Sequence, residues 1–156
     1  MVEINRILFC HDFSDTADFV FDYALSMAEK FSASLYVVHV IEEGPQWAYV
    51  EPLLGVDTAR TISEEMEQKI EQKLNDICKS KAGMVNECYP IMTRGIPFSE
   101  IITIAKEKEI DLIVMGTHGR TGLGRVLFGS VALRVLRRAT CPVLTVRMPA
   151  KEFKGS

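Results

Sequence analysis

The residues Leu112-Ile113-Val114-Met115 form an unbroken apolar run that opens into Gly116-Thr117-His118-Gly119, followed by Gly122, Gly124, Gly129 and Ser130. A strand that is apolar at every position, rather than at alternate ones, is buried on both faces. That is the mark of a parallel sheet covered by helices on each side. After such a strand, glycines let the backbone come close to a ligand. The first N–H groups of the helix that follows have no intrahelical acceptor and point at whatever lies beyond the strand end. This one stretch narrows the chain to the α/β class and marks a candidate site for a phosphate or another small anion.

The rest of the chain repeats the alternation. Arg6–Cys10 reads as a short buried strand, and Asp12-Phe13-Ser14-Asp15 as a turn with helix-capping chemistry. Ala17, Val20, Phe21, Ala24, Leu25 and Ala28 then recur at helical spacing, and residues 35–40 read as a second strand. Residues 41–58 hold Gly44-Pro45, Glu51-Pro52 and Gly55 and read as a long loop. In it, Trp47 and Tyr49 suit a ligand cover, a partner surface or packing onto the domain edge.

From Ile62 a charge-rich helix is expected, with Met66, Ile70, Leu74, Ile77 and Cys78 inward and Glu64, Glu65, Glu67, Lys69, Glu71 and Lys73 as a solvated face. Residues 87–93 form a third strand, which Pro90 confines to a sheet edge. Pro97-Phe98 opens a third helix, residues 111–116 are the fourth strand, and Phe128 to Ala139 give a fourth helix. Residues 142–146 close the pattern as a fifth strand. Residues 1–148 are read as one domain and 149–156 as a short C-terminal tail.

Five strands alternating with four helices imply a doubly wound five-stranded parallel sheet with helices on both faces. Right-handed crossovers and the edge position of Pro90 select the strand order 3-2-1-4-5. Ligands of such sheets bind beyond the carboxyl ends of the strands, where the order reverses. Here that point lies between strands 1 and 4, and it brings His11-Asp12 beside Gly116–Gly119.

A net charge of −3 leaves no basic footprint for nucleic acid. Arg120, Arg125, Arg134, Arg137 and Arg138 gather around the glycine-rich loop and its helix, which suits a small anion better than a polymer. No apolar run is long enough for membrane insertion. Cys10, Cys78, Cys88 and Cys141 are widely spaced with no C-x-x-C pair, so free thiols and a cytoplasmic protein are expected. There is no G-x-x-x-x-G-K-[ST] loop, and Gly122-x-Gly124 runs on to Gly129 at the wrong spacing for a dinucleotide fingerprint. No nucleophile, base and acid stand together, so no catalytic residue and no protein metal ligand is assigned. The site reads as one built to hold a nucleotide rather than to turn it over quickly.

Gly116, Gly119, Gly129 and Ser130 fit the pattern G-x2-G-x9-G-[ST] without a gap. With Asp12 after strand 1, His39-Val40 at the end of strand 2 and the closing residues 141–146, the chain resembles the universal stress protein family, in its ATP-binding branch. The resemblance runs over about residues 3–148. It implies a Rossmann-like fold of the adenine nucleotide alpha-hydrolase-like kind, holding ATP with Mg2+ or Mn2+ bound through the phosphates. Asp12 would then meet a ribose hydroxyl, the backbone of Val40 the adenine edge, and Met115 the nucleoside. Gly116 would let the ribose lie against the chain. Gly119, Gly129, Ser130 and Val131 would receive the phosphates, with His118 and Arg120 touching phosphate oxygens or helping to position the ion.

The residues themselves leave plainer roles open: Asp12 as a turn former, His118 as an exposed loop residue, Ser130 as a helix cap. His39 reads as a satisfied sheet histidine. The function implied is that of a stress-response regulator, in which nucleotide orders the loop Arg120–Phe128 and changes the surface shown to a protein partner. A slow ATPase or nucleotidyl transferase helped by His118 is an alternative, and a dimeric interaction module without nucleotide dependence is another. Val143–Val146 is an uncharged edge strand that invites pairing. The resemblance likewise implies a homodimer through that last strand.

Overall fold

Alternate residues of the first strand part to opposite sides: Ile7 and Phe9 enter one apolar core and Leu8 the other. The computed structural model that shows this describes residues 1–42, 47–81, 83–118 and 129–149, without the side chains of Trp47 and Ala48. In chain order the elements are β1 (Arg6–Cys10), α1 (Asp15–Phe31), β2 (Ser34–Glu42), α2 (Trp47–Leu54), α3 (Val56–Ser80) and β3 (Cys88–Gly95). They continue with α4 (Pro97–Glu107), β4 (Leu112–Gly116), α5 (Ser130–Arg138) and β5 (Val143–Val146). The five strands pair in the order β3-β2-β1-β4-β5, and every pairing is parallel.

Phe9, Leu35, Val37 and Val114 pack against Val20, Phe21 and Ala24 of α1 and Leu74 of α3. On the other face, Leu8, Val38, Ile113 and Met115 meet Ile101, Ile104 and Ala105 of α4 and Ala132 and Val135 of α5. Each of the larger side chains contributes about 1.5–3 kcal/mol through removal from water. Double-sided burial is what the unbroken runs in β1 and β4 demand. Asp111 aligns these two central strands, its Oδ2 accepting the N–H of Asn5 at 2.8 Å and of Arg6 at 2.9 Å.

Helix α1 starts where the turn chemistry places it: the Ser14 hydroxyl accepts the Ala17 N–H at 3.1 Å, and Asp15 and Asp18 complement the helix dipole. Pro90 lies in β3, at the sheet edge.

Three expectations need correction. Residues 41–58 are not one long loop, because α2 occupies Trp47–Leu54 and α3 begins at Val56, ahead of Ile62. Pro52 removes only one amide donor near the end of α2, and Gly55, at φ 83°, turns the chain between the two helices. The breakers punctuate helical structure here without preventing it. Nor are all four cysteines free: Cys78 and Cys88 form a disulfide, with Cα atoms 5.3 Å apart. The connection from α3 to β3 is short, so the last turn of the helix returns over the first residue of the strand. Cys10 and Cys141 are free thiols. Finally, Lys69 and Lys73 of α3 do not belong wholly to a solvated face, as the cavity below makes clear.

Candidate functional site

A cavity of about 730 Å³ opens at the carboxyl ends of β1, β2 and β4. Its floor is Cys10–Phe13 after β1, residues 38–42 of β2, and Met115–His118 at the end of β4. One wall is the N-terminus of α5, from Gly129 to Ala132; the other is α3, through Met66, Lys69, Ile70 and Lys73. This is the crevice between β1 and β4 where the strand order reverses.

The backbone of Val40 is presented by the end of a ladder. In β2, Val38 faces β1, since its C=O accepts the His11 N–H at 2.8 Å, whereas Leu35 faces β3. Val40 has the parity of Val38, so its N–H and C=O also turn toward β1. There β1 has already ended at Cys10. One donor and one acceptor thus face the crevice side by side.

Asp12 is held by an Asx-type turn: its Oδ1 accepts the Ser14 N–H at 3.0 Å and the Ser14 hydroxyl at 2.5 Å. The turn-forming role and a place on the cavity wall therefore coexist in one residue. Preceding it, the Cys10 thiol is pushed up to about 12 by burial, and the Asp12 charge adds to the effect. His11 is 4 % exposed, and burial lowers its pKa against the opposing pull of Asp18 and Asp12. His39 is also buried, with Nδ1 2.8 Å from the His11 carbonyl oxygen, as a satisfied sheet histidine would be.

At the end of β4, Met115 lines the cavity and is packed into the core. Gly116 has a packing reason for being glycine. A Cβ there would meet the His118 carbonyl oxygen at 3.1 Å and Thr16 Cγ2 at 3.2 Å, tight contacts that favour the small residue. Thr117 and His118 are joined through Oγ1 and Nδ1 at 3.0 Å, and His118 borders the cavity.

Gly129, not Ser130, is the N-cap of α5. Its N–H is used within the protein, bonding the Thr117 carbonyl at 2.6 Å, so it locks the helix start to the end of β4. The first-turn N–H groups of Ser130, Val131 and Ala132 have no intrahelical acceptor. Ser130 is exposed and Val131 half-buried, both at the cavity rim. Gly119, Arg120 and Arg125 lie outside the described residues.

Two groups of cations differ from the sequence reading. Arg134 and Arg138 stack on Phe98, with guanidinium carbons 5.1 and 4.9 Å from the ring centroid, and neither lines the cavity. Among the described residues the lysines and arginines lining the cavity are instead Lys69 and Lys73, with the Lys73 ammonium 5.4 Å from the centroid of Phe13. Their spacing from Met66 and Ile70 would have revealed a face shared between charge and apolar contact. Among the described residues no three His, Cys, Asp or Glu side chains gather to hold a metal ion, and no helix is long and apolar enough to cross a membrane.

The profile of the universal stress protein family matches residues 3–147. The chain belongs to the universal stress protein family. Universal stress protein MJ0531 of Methanocaldococcus jannaschii is 35 % identical over 151 residues, covering 95 % of this chain and 85 % of that protein. The solved structure of MJ0577 from the same organism superposes with a TM-score of 0.78 at 29 % identity, over 95 % of this chain and 99 % of the other. A universal stress protein in complex with cAMP shares the fold, with a TM-score of 0.65 at 23 % identity over 95 % of this chain and 100 % of its own.

Proposed function

We propose that this universal stress protein, as a single domain over residues 1–148, binds ATP in the crevice between β1 and β4 and acts as a nucleotide-dependent regulator. The observation that carries the reading is the convergence of three kinds of recognition on one cavity. Val40 offers a backbone donor and acceptor suited to the adenine edge, Asp12 offers a carboxylate suited to a ribose hydroxyl, and α5 offers first-turn N–H groups suited to phosphate. Lys69 and Lys73 add positive charge on the opposite wall. The cAMP complex of a protein with this fold supports an adenine nucleotide as the ligand class.

A divalent ion would come as a companion of the nucleotide. With no protein cluster to hold it among the described residues, Mg2+ or Mn2+ would take its ligands from phosphate oxygens and water. Bound so, it would offset phosphate charge. The protein's own share is to bind and orient. His118 and Arg120 remain candidates for phosphate contact, with Met115, Gly116 and Gly119 beside the nucleoside and phosphates. Residues 120–128, outside the described residues, are the segment through which nucleotide would act on a protein partner, provided two states of the protein differ in affinity for ATP.

The second part of the proposal is a homodimer through β5. Pro142 and Val146 give their carbonyls to β4, so Val143 and Thr145, of opposite parity, turn their N–H and C=O away from the sheet. That outward row can pair with a second copy across a two-fold axis.

Calorimetric titration with ATP, with and without Mg2+, tests the binding claim against Gly119→Trp. Saturable binding that the folded variant lacks is the expected result. Equal affinity in both proteins would remove the nucleotide from this crevice.

A further inference from the structure

His11 is a buried titratable group at the crevice to which the nucleotide reading gives no task. Its Nδ1 accepts the N–H of Phe13 at 2.9 Å, and Phe13 stands in the left-handed region at φ 60°. A bulky residue keeps that conformation only where its surroundings fix it. Between the two lies Asp12, tied to Ser14 on its other side. The imidazole therefore closes a small loop around Asp12.

We propose that His11 is a positioning residue for the nucleotide site: its unprotonated Nδ1 holds the Phe13 turn that sets Asp12, so protonating His11 weakens adenine-nucleotide binding. The inference rests on the nucleotide reading and adds acid sensitivity to it. A protonated imidazole has two donors and no acceptor, so Nδ1–H would oppose the Phe13 N–H that it now receives. The surroundings leave the cation poorly supported. From α1, Asp18 Oδ1 is 3.2 Å from His11 Nε2 and favours the cation, but the Asp18 side chain is largely in solvent and burial of the ring is the larger effect.

Among the described residues the other charged or titratable neighbours are Asp12 on the same segment, His39 of β2 against the His11 carbonyl, and Lys73 of α3 over Phe13. Phe9, Phe13 and Phe21 supply the remaining walls. Burial outweighs the carboxylates, so the His11 pKa lies below its ordinary value and the neutral ring is favoured.

The test compares ATP affinity, with Mg2+, at about pH 7.5 and about pH 5.5 in the wild type, His11→Asn and His11→Ala. Asparagine places Oδ1 where Nδ1 stands, accepts the same N–H two residues on, and does not titrate. His11→Asn should match the wild type at the higher pH. On acidification the wild type should lose more affinity than His11→Asn, by up to about tenfold once the ring is fully protonated, the scale of one hydrogen bond, and by only part of that at about pH 5.5. His11→Ala should bind about tenfold more weakly even at the higher pH. Because protonation of ATP itself affects all three alike, the comparison removes it.

Equal pH dependence in wild type and His11→Asn, or wild-type affinity in His11→Ala, would overturn the inference while leaving the nucleotide site standing. If no protein binds ATP, the functional reading fails, and NMR of the ligand-free protein judges His11 separately. The Phe13 amide proton must then shift with the titration of the His11 ring. An amide unmoved through that titration rejects the positioning role.

Discussion

Replacing Ser130 by Asp separates phosphate recognition from folding. Ser130 is exposed at the first position of α5, beside first-turn N–H groups that lack intrahelical acceptors. A carboxylate there complements the helix dipole, a favourable effect of about 0.3–1 kcal/mol, so the folded state should be as stable as before or slightly more so. A phosphate held by the same N–H groups would lie about 5 Å from the new charge. Repulsion per unit of phosphate charge is then about 1 kcal/mol at a water-like dielectric and about 3 kcal/mol at an effective value of 20.

Binding of ATP should weaken roughly 5- to 200-fold, and the deficit should shrink as salt is raised. Titration calorimetry at low ionic strength measures it, with Ser130→Asn as the neutral control and adenosine as the ligand without phosphate. Adenosine should bind wild type and Ser130→Asp alike. A folded Ser130→Asp protein that binds ATP within about twofold of wild type would refute the placement of the phosphates at α5.

Gly116→Ala should lower stability by about 1–3 kcal/mol in chemical denaturation, because its Cβ meets Thr16 and the His118 carbonyl; an unchanged midpoint would contradict the packing reason given for this glycine. The purified, air-oxidised protein should show two reactive thiols in denaturant rather than four, since Cys78 and Cys88 are paired. In the native protein Cys10 should resist alkylation at about pH 8, its thiol being held far above that pH. Thr145→Pro removes an outward donor from β5 without taking a bond from β4, so it should shift a dimer toward monomer in analytical ultracentrifugation at unchanged helical content.

What was legible in the sequence follows from which forces act locally. The runs at Ile7–Phe9 and Leu112–Met115 announced double-sided burial. Pro90 placed β3 at the edge, and the reversal of strand order then located the crevice before any contact was known. The α2 region was misread because Pro52 and Gly55 are turn signals whose effect depends on position: near a helix end they cost little, and tertiary packing of α3 prevails over them.

The Cys78–Cys88 bond was invisible because pairing depends on how α3 returns over β3, not on spacing. Lys69 and Lys73 were hidden by their type, since long cationic side chains can line a cavity with their stems while keeping the charge wet. Arg134 and Arg138 erred in the opposite direction. Their nearness in sequence to the glycine loop suggested an anion site, but helical periodicity carries them to Phe98 on α4. The crowding at Gly116 likewise comes in part from Thr16 of α1, a hundred residues earlier in the chain, which no local pattern reports.

The central claim, that an adenine nucleotide occupies the crevice between β1 and β4, is tested most directly by backbone amide NMR during titration with ATP. The expected result is a saturable set of shifts confined to Asp12, Val40, Thr117, His118, Ser130 and Val131, which surround one cavity though they come from distant parts of the chain. No shifts at saturating nucleotide, or shifts centred elsewhere, for instance at the groove of Thr93, Glu100 and Thr103 between β3 and α4, would contradict it.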